Sequence, residues 1–162
     1  MKLSELTNFN FTKEIASGAL LSATKYTMQV NTMTVSWGSA GVLWNKEICT
    51  VFVRPQRYTY EFCENGDTLT LSFFGDKRRD ALTFCGTKTG RDVDKFAVCG
   101  LNYELKNKAC IFDDAKVTLV LKKLYSQDIS GECFFDKTPL SCYKSNDFHR
   151  AYTCEIVDVI VK

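Results

Sequence analysis

The chain has 162 residues, 45% of them apolar and 25% charged, a globular composition that excludes a disordered or collagen-like chain. A chain of this length is expected to form one domain over residues 1–162 and to bury roughly 70% of its unfolded surface, so it needs no metal or disulfide staple. Lys+Arg 21 against Asp+Glu 19 leaves +2, which excludes the basic footprint of a nucleic-acid binder.

The amino terminus, Met1-Lys2-Leu3-Ser4-Glu5, lacks the apolar region of a secretory signal, so a cytoplasmic location is expected. The best apolar run, Gly18-Ala19-Leu20-Leu21, is cut by Ser22 and predicts no membrane span. Val30 to Trp37 reads as a strand with Val30, Thr32, Thr34 and Ser36 on one face and Asn31, Met33, Val35 and Trp37 on the other. Both faces are mixed, which predicts packing on one side and a polar neighbour on the other. Cys49 to Val53 is a further strand, followed by a helix over Tyr58 to Asn65 that Gly66 should close. Leu69 to Phe74 is a strand, and two short helices, Arg78 to Cys85 and Asp92 to Cys99, end at Gly86 and Gly100. Lys116 to Tyr125, Gly131 to Phe135 and Ala151 to Val161 complete the strands. Strands dominate, so a closed or nearly closed antiparallel barrel with short helical inserts is expected, because closure removes sheet edges.

Eight cysteines fall at 49, 63, 85, 99, 110, 133, 142 and 154, with no two closer than nine positions. This spacing excludes close-paired zinc sites and the Cys-x-x-Cys redox motif. Several lie inside apolar stretches, as Cys49 and Cys110 do, and read as buried, reduced thiols acting as small hydrophobes.

Three segments carry candidate chemistry. The strand Cys49 to Val53 runs into Arg54-Pro55-Gln56-Arg57-Tyr58-Thr59, where a helix begins. Two arginines, a threonine hydroxyl and the unpaired N–H groups of a helix start can seat an anion. The bland alternative leaves Thr59 as a cap and the arginines solvated. Asn31 to Trp37 offers alternating amide and hydroxyl groups that can meet a heteroaromatic edge, or simply solvent, with Trp37 as a stacking or packing surface. Gly86-Thr87-Lys88-Thr89-Gly90-Arg91-Asp92 is a basic loop without the spacing of a nucleotide-hydrolase phosphate loop, and no Gly-x-Gly-x-x-Gly occurs. The single histidine, His149, builds neither a multi-histidine metal site nor a serine triad, and a satisfied histidine is its ordinary reading. So little acid–base chemistry points to a borrowed cofactor.

Asn31-Thr32-Met33-Thr34-Val35-Ser36-Trp37-Gly38, Phe52 through Glu61 and Leu71 to Phe74 resemble the flavin reductase-like family, flavoredoxin-type branch. Cys85 to Phe96 and His149 to Ile156 extend the resemblance, which covers the chain from about Ala16 onward. It implies an FMN-binding split β-barrel, a homodimer with non-covalent FMN near the subunit interface. It also implies Asn31, Met33, Thr34, Ser36 and Trp37 beside the flavin, and Arg54, Gln56, Arg57 and Thr59 on the phosphate and ribityl chain. Ser72 and Phe73 would line the same cavity, with Lys88 or Lys95 reaching in. His149 resembles the family's histidine on the nicotinamide side; Cys154 stands where that motif has glycine and is expected to narrow the mouth. The implied activity is oxidoreductase chemistry in which NADH or NADPH reduces bound FMN, with onward electron transfer to an acceptor. The alternatives are an electron carrier with protein redox partners and a small-ligand barrel without flavin.

Overall fold

A computed structural model describes every residue from 1 to 162. In chain order the elements are α1 (Phe11–Ser17), β1 (Ala19–Thr24), β2 (Val30–Val35), β3 (Gly38–Leu43), β4 (Lys46–Val53), α2 (Tyr58–Glu64) and β5 (Thr68–Phe73). They continue with α3 (Arg79–Thr87), α4 (Lys95–Cys99), β6 (Tyr103–Lys106), β7 (Ala109–Phe112), β8 (Val117–Asp128) and β9 (Arg150–Val161). Seven strands form one antiparallel sheet in the order β2-β1-β5-β8-β9-β4-β3, and β6 pairs with β7 separately. The two edge strands, β2 and β3, are neighbours in sequence, and β2 also approaches β4, so the sheet curls almost shut and leaves a split at this corner. The 12-residue strands β8 and β9 carry register shifts at Val120/Leu121 and Lys123/Tyr125, irregularities that tighten the twist needed to curl a sheet.

Alternation builds the interior. Ala19, Leu21 and Ala23 of β1, Leu69, Leu71 and Phe73 of β5, and Val117, Leu119 and Leu121 of β8 point inward, at period two. They belong to a cluster of 21 buried residues that includes Met33 and Val35 of β2 and Tyr152 and Cys154 of β9. The outer face of β1 is covered as well: Leu20 joins Leu82 and Cys85 of α3 and Cys110 and Phe112 of β7 in a second cluster. Every residue of β1 is therefore buried, which explains why its run of apolar and small residues shows no alternation. No helix is long and apolar enough to cross a membrane.

Three expectations change. Gly131 to Phe135 is not a strand but a short 3-10 turn, Gly131–Cys133, in the segment before β9. It pairs with nothing; Phe134 packs on Phe148 instead, while Phe135 is fully exposed. Gly86 does not end its helix, since α3 runs on to Thr87; a Cβ there would lie 3.4 Å from Thr34 Cβ, so its smallness sets how closely α3 sits on β2. Asp92 does not open α4; Asp94 does, its carboxylate accepting from the Phe96 and Ala97 amides, and Gly100 closes it in the left-handed region at φ 59°. Cys49, Cys63, Cys85, Cys110 and Cys154 are buried, as expected of small hydrophobes, while Cys99 is half-buried and Cys133 and Cys142 are exposed.

Gly66 follows α2, but close packing, not a left-handed turn, requires glycine there. A Cβ on Gly66 would lie 2.0 Å from the Thr24 carbonyl oxygen at the end of β1. Gly66→Ala is expected to lose about 2 kcal/mol or more of stability by overpacking, read from urea denaturation. An unchanged midpoint would show that the β1 end yields freely.

Candidate functional site

The site forms where the open edge of the barrel, β2, meets α2, α3 and α4. On β2 the hydroxyl stripe is spent on the fold. Thr32 Oγ1 accepts from Ser22 and donates to the Leu21 carbonyl, and Thr34 Oγ1 donates to the Leu82 carbonyl of α3. On the opposite face Met33 and Val35 enter the core, while Asn31, at the strand's start, turns to α2. Its Nδ2 donates to Thr59 Oγ1 at 2.9 Å, a buried bond that fixes the polar strand to the first turn of α2. Gly90 packs against the same amide: a Cβ there would fall 2.3 Å from Asn31 Oδ1.

Beside Thr59 lies a cavity of about 210 Å³, lined by Gln56, Arg57, Tyr58, Thr59, Thr87, Lys88, Thr89 and Lys95. Three of these are cations, three carry hydroxyls on threonine, and none is a carboxylate. Arg57 reaches across to α3, donating to the Gly86 carbonyl at 2.8 Å and the Cys85 carbonyl at 3.2 Å. Lys95 is only 3% exposed, and its Nζ donates to the Thr32 carbonyl at 2.9 Å and the Cys85 carbonyl at 3.1 Å. Burial lowers the pKa of both groups, and Arg57 lowers Lys95 further. An ammonium has three donors, so Lys95 keeps one beyond its two carbonyls. Two partly desolvated cations without a counter-charge favour an anion in the space between them. The α2 helix has only seven residues, so side chains rather than a long dipole supply most of the field. A larger cavity of about 540 Å³ shares Tyr58 and Lys95 with it and adds Asn31, Phe96, Tyr103 and Arg91. Arg91 pairs with Glu61 at 2.5 Å and lies 4.7 Å from the Tyr58 ring centroid.

Of the expected residues, the structure gathers Gln56, Arg57, Thr59, Lys88 and Lys95 around the small cavity and Asn31 on the adjoining one. Trp37 and His149 form a separate corner, ring centroids 5.2 Å apart, with Phe52 edge-on to the histidine at 6.4 Å. Tyr143 Oη lies 2.9 Å from His149 Nδ1 and ties that nitrogen. Arg54 belongs to this corner and not to the small cavity. It pairs with Asp147 and donates to the Cys142 carbonyl at 2.9 Å, while Gln56 Nε2 donates to Asp147 at 2.9 Å. The bond from Arg54 holds the Asp147 carboxyl below the usual range. Ser36 is exposed just past β2. Met33, Ser72 and Phe73 are not gathered. Met33 is in the barrel core, Ser72 is buried against Thr118 Oγ1 at 3.1 Å, and Phe73 packs on Phe9 at 5.1 Å. Cys154 does not narrow a mouth; it is fully buried in the core, opposite Cys49 in the β4–β9 pairing. Sequence reasoning missed Tyr58, Thr87, Thr89 and Gly90 as lining residues and Tyr143 as the partner of His149. The two threonines flank Lys88 in the glycine-bounded basic loop, a signal that was present; nothing pointed to Tyr143.

Residues 12–161 match the family described as flavin reductase like domain. The chain belongs to that family. Among solved structures its fold is similar to flavoredoxin from Methanosarcina acetivorans, 17% identical, TM-score 0.71, covering 100% of this chain and 76% of that one. It is also similar to an FMN-binding protein from Thermus thermophilus with bound p-hydroxybenzaldehyde, 19% identical, TM-score 0.68, over 90% of this chain and 71% of the other. An NADH:FAD oxidoreductase of Streptomyces globisporus is 11% identical, TM-score 0.68, over 90% of this chain and 75% of that chain. Among curated protein sequences none matches. Split-barrel flavin reductases thus share the architecture described above, mainly β with a curled antiparallel sheet.

Burial, reinforced by Arg54 and opposed by Asp147, lowers the His149 pKa to about 4. The native ring is therefore neutral between pH 4 and the ordinary value near 6.5 while the unfolded ring takes up a proton, so stability rises with pH across that window. Acidification from pH 6.5 to 4 is expected to remove up to about 3 kcal/mol through this group. His149→Phe should flatten that part of a stability–pH curve measured by urea melts; an unaltered slope would refute the assignment.

Proposed function

We propose that this chain is a flavin-dependent oxidoreductase that holds FMN non-covalently and takes electrons from NADH or NADPH. The observation that carries this reading is the cavity of three cations and no carboxylate, joined to β2 through the Asn31–Thr59 bond. A phosphomonoester brings about −2 charge and three acceptor oxygens, which suit Arg57, Lys88, Lys95 and the threonine hydroxyls. The adjoining cavity, with an amide and aromatic side chains, suits a planar heteroaromatic group. When held by Arg57, Lys88, Lys95 and Asn31, FMN would supply the redox chemistry that the side chains lack.

The protein's own residues bind and orient. Arg57 and Lys95 are held by carbonyls of α3 and β2, so their donors are in place before an anion arrives. Asn31 presents an amide to the ring edge, fixed from one side by Thr59 and from the other by Gly90. Trp37 and the neutral His149 supply an apolar and polar edge for the nicotinamide side. A reducing cytoplasm is the proposed setting, in keeping with eight free cysteines.

Arg57→Ala and Lys95→Ala are each expected to weaken FMN binding by roughly 10- to 100-fold, measured by fluorescence titration, while Arg54→Ala leaves it within a few-fold. Equal losses from all three would sink the assignment of the seat. Stopped-flow mixing of the FMN-loaded protein with NADH and NADPH should bleach the flavin absorbance with at least one. If neither bleaches it, the chain is an electron carrier; if no FMN binds, the flavin reading falls.

A homodimer is part of the proposal. At the tip of the β3–β4 hairpin, Trp44 and Asn45 both have positive φ and make a tight turn that leaves Val42, Leu43 and Trp44 exposed. Trp44 stands edge-on to the exposed Tyr125 at 6.2 Å, an apolar patch that a second copy would cover. Trp44→Asp should shift the protein from dimer to monomer in sedimentation velocity. A wild-type protein that sediments as a monomer would remove this part.

A further inference from the structure

The segment between β8 and β9, residues 129–149, is closed at its base by the Ile129 amide, which donates to the His149 carbonyl at 2.9 Å. Its far side is held by the junction after β4: Arg54 donates to the Cys142 carbonyl, and Arg54 and Gln56 both donate to the Asp147 carboxylate. Tyr143 is packed into this arrangement. Its ring centroid lies 4.7 Å from that of Phe148 and 5.2 Å from Arg54 Cζ, and the residue is buried.

A side chain held this firmly can hold another. Tyr143 Oη has one hydrogen-bond partner, His149 Nδ1 at 2.9 Å, and His149 is buried too. Burial raises the pKa of the phenol, so it keeps its proton at neutral pH, and a buried O–H needs an acceptor. The neighbouring carboxylate, Asp147, is taken by Arg54 and Gln56. The lone pair on Nδ1 of the neutral imidazole is the acceptor in reach, which places the ring proton on Nε2. Nε2 itself has no partner within the chain. It is not one of the two sealed polar atoms without a hydrogen bond, Asp114 Oδ1 and Arg150 Nε, so it opens to solvent. Trp37, half of it exposed, stands beside the ring at 5.2 Å. The corner thus presents one N–H donor at the edge of a flat indole.

We propose that Tyr143 is a positioning residue: it donates to Nδ1, holds His149 in the Nε2–H tautomer, and so makes the imidazole a hydrogen-bond donor to the carboxamide oxygen of a reduced nicotinamide. The other tautomer would turn a lone pair toward that oxygen and repel it. Gln56 links this corner to the small cavity, because it lines the cavity and also donates to Asp147, two residues before His149. The tautomer stands on the Tyr143–His149 bond; its use on a nicotinamide rests on the flavin reading above.

The test begins with long-range 15N–1H NMR of the untagged full chain at pH 7, where His149, the only histidine, gives a single imidazole to read. The expected result is the Nε2–H tautomer. Tyr143→Phe keeps the packing on Phe148 and removes only Oη; the share of the Nδ1–H tautomer should rise by about three- to tenfold. In the FMN-loaded protein the same substitution should raise KM for the nicotinamide that bleaches the flavin by about three- to tenfold, with kcat changing less. A wild-type imidazole protonated on Nδ1, or a tautomer ratio untouched by Tyr143→Phe, would overturn the positioning role. A shifted ratio with an unchanged KM would overturn the nicotinamide contact. The NMR readout needs no flavin, so a protein that binds no FMN ends the flavin reading and still decides the tautomer.

Discussion

The structure around the site depends on a buried ammonium that has carbonyl oxygens for company and no carboxylate. Lys95 Nζ draws together the backbone of β2 at Thr32 and the end of α3 at Cys85. β2 has a sheet neighbour on one side only, so its outer backbone edge is open, and Lys95 closes part of it. Neutral dipoles offset only part of what a cation loses on leaving water, which is typically several kcal/mol. The choice of lysine at a nearly dry position makes sense if something negative arrives later.

Arg54 and Arg57, three residues apart, show how tertiary placement separates similar side chains. Arg57 meets only backbone carbonyls and keeps its charge uncompensated at the small cavity. Arg54 turns the other way and is neutralised by Asp147. The same division runs through the polar residues of β2: Thr32 and Thr34 hold the strand to β1 and α3, and only Asn31 is aimed at the cavity region. Strong donors spent on the fold cannot also serve a ligand, so the working set is smaller than the polar set.

Much of this was legible in the chain. The strands β2, β5, β8 and β9 announce themselves through Val, Thr, Ile and aromatic runs, and the strand–loop–helix junction at Arg54 to Thr59 marks the cationic corner. What escaped reading has a common cause. β1 is covered on both faces and loses its alternation, and Gly131 to Phe135 has strand-like residues but no partner strand. Ser72 resembles a site residue by motif, yet sits on a central strand where Thr118 takes its hydroxyl.

Local sequence determined the strands β2, β4, β5, β8 and β9, the helix α2 and the segments rich in donors, because those follow from side-chain period, backbone freedom and hydrogen-bonding capacity over a few residues. Which donors stay free was decided only in three dimensions. Whether a cation finds a carboxylate, as Arg54 does, or only carbonyls, as Arg57 and Lys95 do, depends on partners 10 to 93 positions away. Electrostatic compensation acts over a few ångströms of space, and distance along the chain says nothing about it.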